Sequence, residues 1–99
     1  MKINVETKIL DYEGKKIPKD EKTSLTIRDA ISIALNSQLR EEIITTEQKN
    51  KIFQISVKLW TKKEIDLTVD DRAFIKERAG KILTALLYGR LSEMLEEKK

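Results

Sequence analysis

Three times in this chain a threonine is followed, three residues later, by a side chain able to reach back to it: Thr26 with Asp29, Thr45 with Gln48, and Thr68 with Asp71. At this spacing the hydroxyl accepts from an orphan amide of a new helix while the partner covers the cap's own amide or sits at the positive helix end. Each signal opens a run of apolar residues at three- and four-residue spacing, the mark of an amphipathic helix. Behind Thr26 come Ile27, Ala30, Ile31, Ala34 and Leu35, which predicts a first helix over 26–39. Behind Thr45 come two adjoining rows, Ile52, Ile55, Ser56, Leu59 and Phe53, Val57, Trp60, on a second helix over 46–62. Their combined width implies contacts on two sides. Behind Thr68 the apolar set runs from Phe74 to Leu95 and predicts a third helix over 69–97, interrupted in its greasiest stretch only by Thr84.

The first 17 residues have a different period. Ile3 and Val5 alternate with polar neighbours, and Leu10-Asp11-Tyr12-Glu13-Gly14 reads as a tight turn closed by a glycine at positive φ. The expectation is a β-hairpin over 2–17, followed by an exposed polar connector from Pro18 to Ser24. At 99 residues there is room for one core. The expected fold is therefore mainly α (α+β): one domain over 1–99, an N-terminal β-hairpin followed by three helices, with the third helix central. An isolated hairpin is marginal, so this one must lie on the helices or extend a sheet in a second subunit. Gly80 and Gly89 fall inside the third helix, where close packing of a neighbouring backbone would explain them and a break at Gly89 is the competing reading.

The chain contains no histidine and no cysteine, which removes the usual general base, the usual zinc ligands and the thiol nucleophile together. Of the acidic pairs, Asp70-Asp71 suits a helix's first turn, Glu96-Glu97 belongs to a polar tail, and Glu41-Glu42 has no evident setting for chemistry. Gly14-Lys15-Lys16 is a hairpin turn, without the strand-to-helix context of a phosphate loop. No calcium loop is present. The expectation is a protein that is not an enzyme and uses no cofactor and no metal. The opening residues MKINVETKIL lack an apolar leader core and no stretch approaches a membrane span, so the expected location is the cytoplasm.

A protein that works by binding needs a surface, and two are suggested. Ile82, Leu83, Leu86, Leu87, Tyr88 and Leu91 make the third helix greasy around most of its girth, so they are expected at the interface of a homo-oligomer, most simply a dimer. Lys58, Lys62, Lys63, Arg72 and Lys76 would form a basic surface for phosphates or an acidic partner if the second and third helices align. Nucleic acid is thus an alternative partner, although the net charge of +3 is mild for that task. The plainer reading makes these lysines ordinary solvated faces and places Trp60 in the core.

Three segments, LDYEGKKI at 10–17, LTIRDAISIAL at 25–35 and IDLTVDDRAFIK at 65–76, fall in the order found in a group of small proteins. The chain resembles small proteins encoded by tailed bacteriophages and prophages, in which an LDxxGK-type hairpin precedes a TLxDA-type helix and two further helices. The resemblance implies a host-cytoplasmic protein that acts stoichiometrically as an assembly helper, regulator or inhibitor of host defence, and it carries over no catalytic residue.

Overall fold

The first strand, β1 (Lys2–Asn4), is ended by its own asparagine: Asn4 Oδ1 accepts from the Glu6 amide at 2.9 Å, an Asx turn. In the computed structural model, which describes residues 1–96, β1 pairs antiparallel with β2 (Glu64–Asp66) in the register Lys2↔Asp66, Ile3↔Ile65, Asn4↔Glu64. The small antiparallel β element in a mainly α domain is as the sequence indicates. Its long-range pairing differs from a continuous hairpin over 2–17. What remains local is the turn: Leu10 bridges Lys16, Asp11 Oδ1 accepts from the Glu13 and Lys15 amides at 2.9 Å, and Gly14 sits at φ 84. Pro18 bridges Ser24 around a second turn nucleated by Asp20, and Lys8 bridges Thr26.

The helices are α1 (Ile27–Asn36), α2 (Thr46–Thr61), α3 (Val69–Ile82) and α4 (Ala85–Leu95). All three anticipated capping boxes are closed in both directions. At α1 every early amide has a partner: Ile27 N–H donates to Thr7 O at 2.9 Å, Arg28 N–H to Val5 O at 2.8 Å, and Asp29 N–H to Thr26 Oγ1. The bend after β1 therefore serves to deliver two carbonyls to a helix N-terminus.

Helix α1 is the centre of the molecule. Ile27, Ala30, Ile31, Ala34 and Leu35 are buried, and α2, α3 and α4 all pack on it. The third helix was expected in that role. Its predicted span is two helices, because Leu83 and Thr84 are extended and the Thr84 hydroxyl caps α4 through the Leu87 amide. A straight helix over 69–97 would be about 43 Å long at 1.5 Å per residue, more than the molecule's largest extent of 38 Å. The break lets both halves lie against α1. The expected helix end at residue 97, like Lys98-Lys99, lies outside the described residues. Helix α1 stops at Asn36, three residues earlier than predicted, where Asn36 Nδ2 donates to the Ser32 carbonyl at 3.1 Å and Ser37 turns extended.

Neither helix glycine is there for close backbone packing. A Cβ on Gly80 would touch only a Tyr88 ring carbon at 3.5 Å, and one on Gly89 would meet nothing within 4 Å. The chain continues as helix through Gly89. Gly89→Ala should therefore stabilise the protein by about 0.5–1 kcal/mol, read as a higher urea midpoint at unchanged slope.

Candidate functional site

The arginines come first, because three of them are structural. Arg28 donates from Nε to Leu59 O at 2.5 Å and from Nη2 to Lys62 O at 3.1 Å, closing the C-terminal end of α2. Arg90 holds the hairpin turn to α4 through Leu10 O at 3.0 Å and Asp11 O at 2.7 Å. Arg78, on α3, is 1 % exposed. It donates from Nη2 to Ser37 O at 2.7 Å and from Nη1 to the Glu42 carboxylate. Glu42 is bound in turn by the Leu39 amide at 3.1 Å, and Gln38 Nε2 donates to its carbonyl. The Arg78 guanidinium, helped by the Leu39 amide, holds the Glu42 carboxyl below the usual carboxylate range. The intervening Glu41 adopts φ 65, a left-handed conformation that a glutamate enters only when its surroundings impose it. The loop from Ser37 to Thr45 is thus organised around one buried cation.

A second buried charge sits at the other end of α1. Asp29 receives Lys19 Nζ at 2.9 Å and the amide and hydroxyl of Thr26 at 3.0 Å. Burial raises its pKa, but the Lys19 and Thr26 hydrogen bonds outweigh that and leave it lowered. With the folded pKa below the unfolded one, the stabilisation is complete above the ordinary carboxylate value of about 4 and is lost as pH falls through the folded value. Asp29→Asn should accordingly melt with a shallower decline than the parent chain on acidification below about pH 4, measured by circular dichroism.

The residues of the predicted basic surface fall into two groups, one around Lys58 and Lys62 and one at the end of α4. Lys58 and Lys62 line a shallow pocket with Lys2, Glu64 and Asp66, and Lys63 faces Glu6 at 3.8 Å. Arg72 reaches Leu95 O at 3.4 Å and Lys76 reaches Glu96 at 3.4 Å, at the end of α4. The predicted oligomer segment is largely used within the chain. Leu91 is fully buried, and Leu83, Leu87 and Tyr88 pack against the core. Only Ile82 and Leu86 are half-buried without joining that cluster. Among the described residues no cluster of three or more acidic side chains is placed to hold a metal ion, and no helix is long and apolar enough to cross a membrane.

Among the described residues, the second helix carries a row of large apolar side chains that the chain leaves uncovered, while Leu10, Ile33, Leu39 and Ile43 are exposed elsewhere. Its first apolar row is inside: Ile55 and Leu59 are buried, and Ile52 packs on them. Its second row is outside, with Phe53 at 69 %, Val57 at 44 % and Trp60 at 57 % exposure. Trp60 is therefore a surface residue, contrary to the plainer expectation, and the Arg28 guanidinium lies 5.6 Å from its ring centroid. Spaced at i, i+4 and i+7, the three form one stripe. Beside it, the end of α1, the loop and the first half of α2 enclose a groove of about 320 Å³. Leu35, Ile44, Ile52 and Phe53 supply its apolar wall, and Asn36, which donates to Ser56 Oγ at 3.3 Å, and Lys49 supply polar edges. A larger depression of about 470 Å³ lies between α4 and the N-terminal segment, and Arg90 on its wall is already bound to the hairpin turn. Tyr12 and Val69 are exposed singly, which is ordinary. The two rows on the second helix were legible in the sequence; which of them would face water was not, since both carry the same period. Comparison with known proteins finds no family model, no curated protein and no solved structure that matches this chain.

Proposed function

We propose that this protein acts without catalysis, by stoichiometric binding of a partner protein through the exposed stripe of α2, as a small cytoplasmic regulator, assembly helper or host-defence inhibitor of the phage and prophage kind. The observation that carries the reading is the stripe itself: three large apolar side chains in line on an outer helix face beside an apolar groove. Aligned exposed apolar groups of this kind mark contact surfaces, and aromatic residues contribute disproportionately to binding. The arginine-organised loop supports it by holding the groove's edge, so little ordering entropy is lost when a partner arrives.

Phe53→Glu combined with Val57→Glu should leave the fold intact, since both side chains stand in solvent, and should abolish the complex. Native mass spectrometry of the protein recovered from its host's extract is expected to give a defined stoichiometric complex for the parent chain and none for the double variant. An unchanged complex in the variant would place binding elsewhere.

A further inference from the structure

We propose that the partner element seated on this stripe is an acidic amphipathic helix, its apolar residues against Phe53, Val57 and Trp60 and its carboxylates over Lys49 and Arg28. The inference rests on the reading of the stripe as a binding surface and adds the chemistry of its occupant. Charge decides it. From Gln48 to Lys63 the chain carries five lysines and no carboxylate. Lys51 is used by Asp71 at 3.5 Å and Lys63 by Glu6 at 3.8 Å. Among the described residues, Lys49, Lys62 and Arg28 form no ion pair.

Geometry sets the length of the occupant. Lys49 stands at one end of the stripe and Arg28, stacked on Trp60, at the other, separated by about 16 Å along the helix axis at 1.5 Å per residue. That span is three turns of a facing helix, enough for an anchor on each exposed apolar side chain and a carboxylate at either end. A second copy of this chain is a poor occupant, because pairing α2 with itself across the stripe sets one carboxylate-free face against another. Single-stranded nucleic acid is also disfavoured. The Arg28 guanidinium already occupies a face of Trp60, the rest of the stripe is phenyl and aliphatic, and Arg72 and Lys76 are directed to the end of α4.

A display selection from random peptides of 16 residues, the length of α2, tests this on the intact protein. The expected binders carry net negative charge with apolar residues at i, i+3 or i+4, and i+7. Their affinity should fall at least about tenfold with Phe53→Glu/Val57→Glu, and Lys49→Glu should shift the selected charge toward neutral. Raising sodium chloride from about 50 to 500 mM should weaken binding severalfold, as the screening length contracts from roughly 14 to 4 Å. Neutral or basic winners, no enrichment, or affinity indifferent to the stripe variant would each overturn the proposal. So would tighter binding of oligothymidylate, or a dimer in light scattering that the stripe variant dissolves. A complex from host extract whose contact segment is basic would defeat this inference and leave the binding role standing.

Discussion

Arg78→Ala is expected to lower the melting temperature by about 12–24 °C, which follows from a loss of about 3 kcal/mol and 4–8 °C per kcal/mol for a domain of this size. The figure exceeds that of an ordinary surface substitution because the guanidinium is buried and two of its donors are committed to a loop. Removal strands the Ser37 carbonyl, leaves Glu42 without its principal donor, and withdraws the side-chain stem from its packing. Arg78→Lys should recover only part of the loss, because one ammonium lacks the planar fork that serves Ser37 and Glu42 together. Arg78→Met separates charge from volume: if the contribution were packing alone, methionine would restore stability almost fully. Thermal melts followed by circular dichroism give all three values. Because the same loop edges the groove beside Phe53, amide exchange between residues 37 and 45 should quicken in Arg78→Ala even at temperatures where the helices persist.

Arg78 also shows where sequence reasoning reaches its limit. Helix starts are local chemistry, a hydroxyl and a carboxylate or amide three residues apart, and all three Thr-led caps at 26, 45 and 68 could be read directly. The fourth, at Thr84, was visible as the one interruption in an apolar run. It lacks a reciprocal side chain because the residue three positions on is Leu87, so periodicity dominated and two helices read as one. The pairing of β1 with β2 joins segments about 60 residues apart and has no local signature. A lone arginine on a charged helix looks the same whether it faces water or Ser37 and Glu42. The Glu41-Glu42 pair held the missing half of that contact, but only the left-handed turn at Glu41 aims the second carboxylate inward.

The α2 stripe was half legible for a similar reason. Two apolar rows on one helix require two contacts, and the chain itself provides one, through α1 against Ile55 and Leu59. On the last helix the apolar girth from Ile82 to Leu91 is divided by a break that periodicity alone does not reveal. The break at Leu83-Thr84 lets Leu83, Leu87 and Leu91 pack on the core of their own chain.

Leu91→Asp should therefore unfold the protein outright, while Leu86→Asp, a few ångströms along the same helix, should cost only about 1 kcal/mol or less. Leu91 has no solvent exposure and packs in the cluster that includes Ile31 and Leu95, so aspartate there loses the leucine's burial and places a charge where no donor waits. The combined loss exceeds about 4 kcal/mol, a large part of the roughly 5–15 kcal/mol that holds a domain this size together. Leu86 is half-buried and outside that cluster, and its carboxylate would stay in water. If the two leucines instead shared a subunit interface, both substitutions would weaken the assembly alike and the parent melting temperature would rise with protein concentration. The expectation is a split pair: no cooperative melt for Leu91→Asp, a near-parental one for Leu86→Asp, and a parent midpoint that does not move over a hundredfold range of concentration. That pattern would assign the last helix to the core and leave the stripe on α2 as the surface that needs a partner.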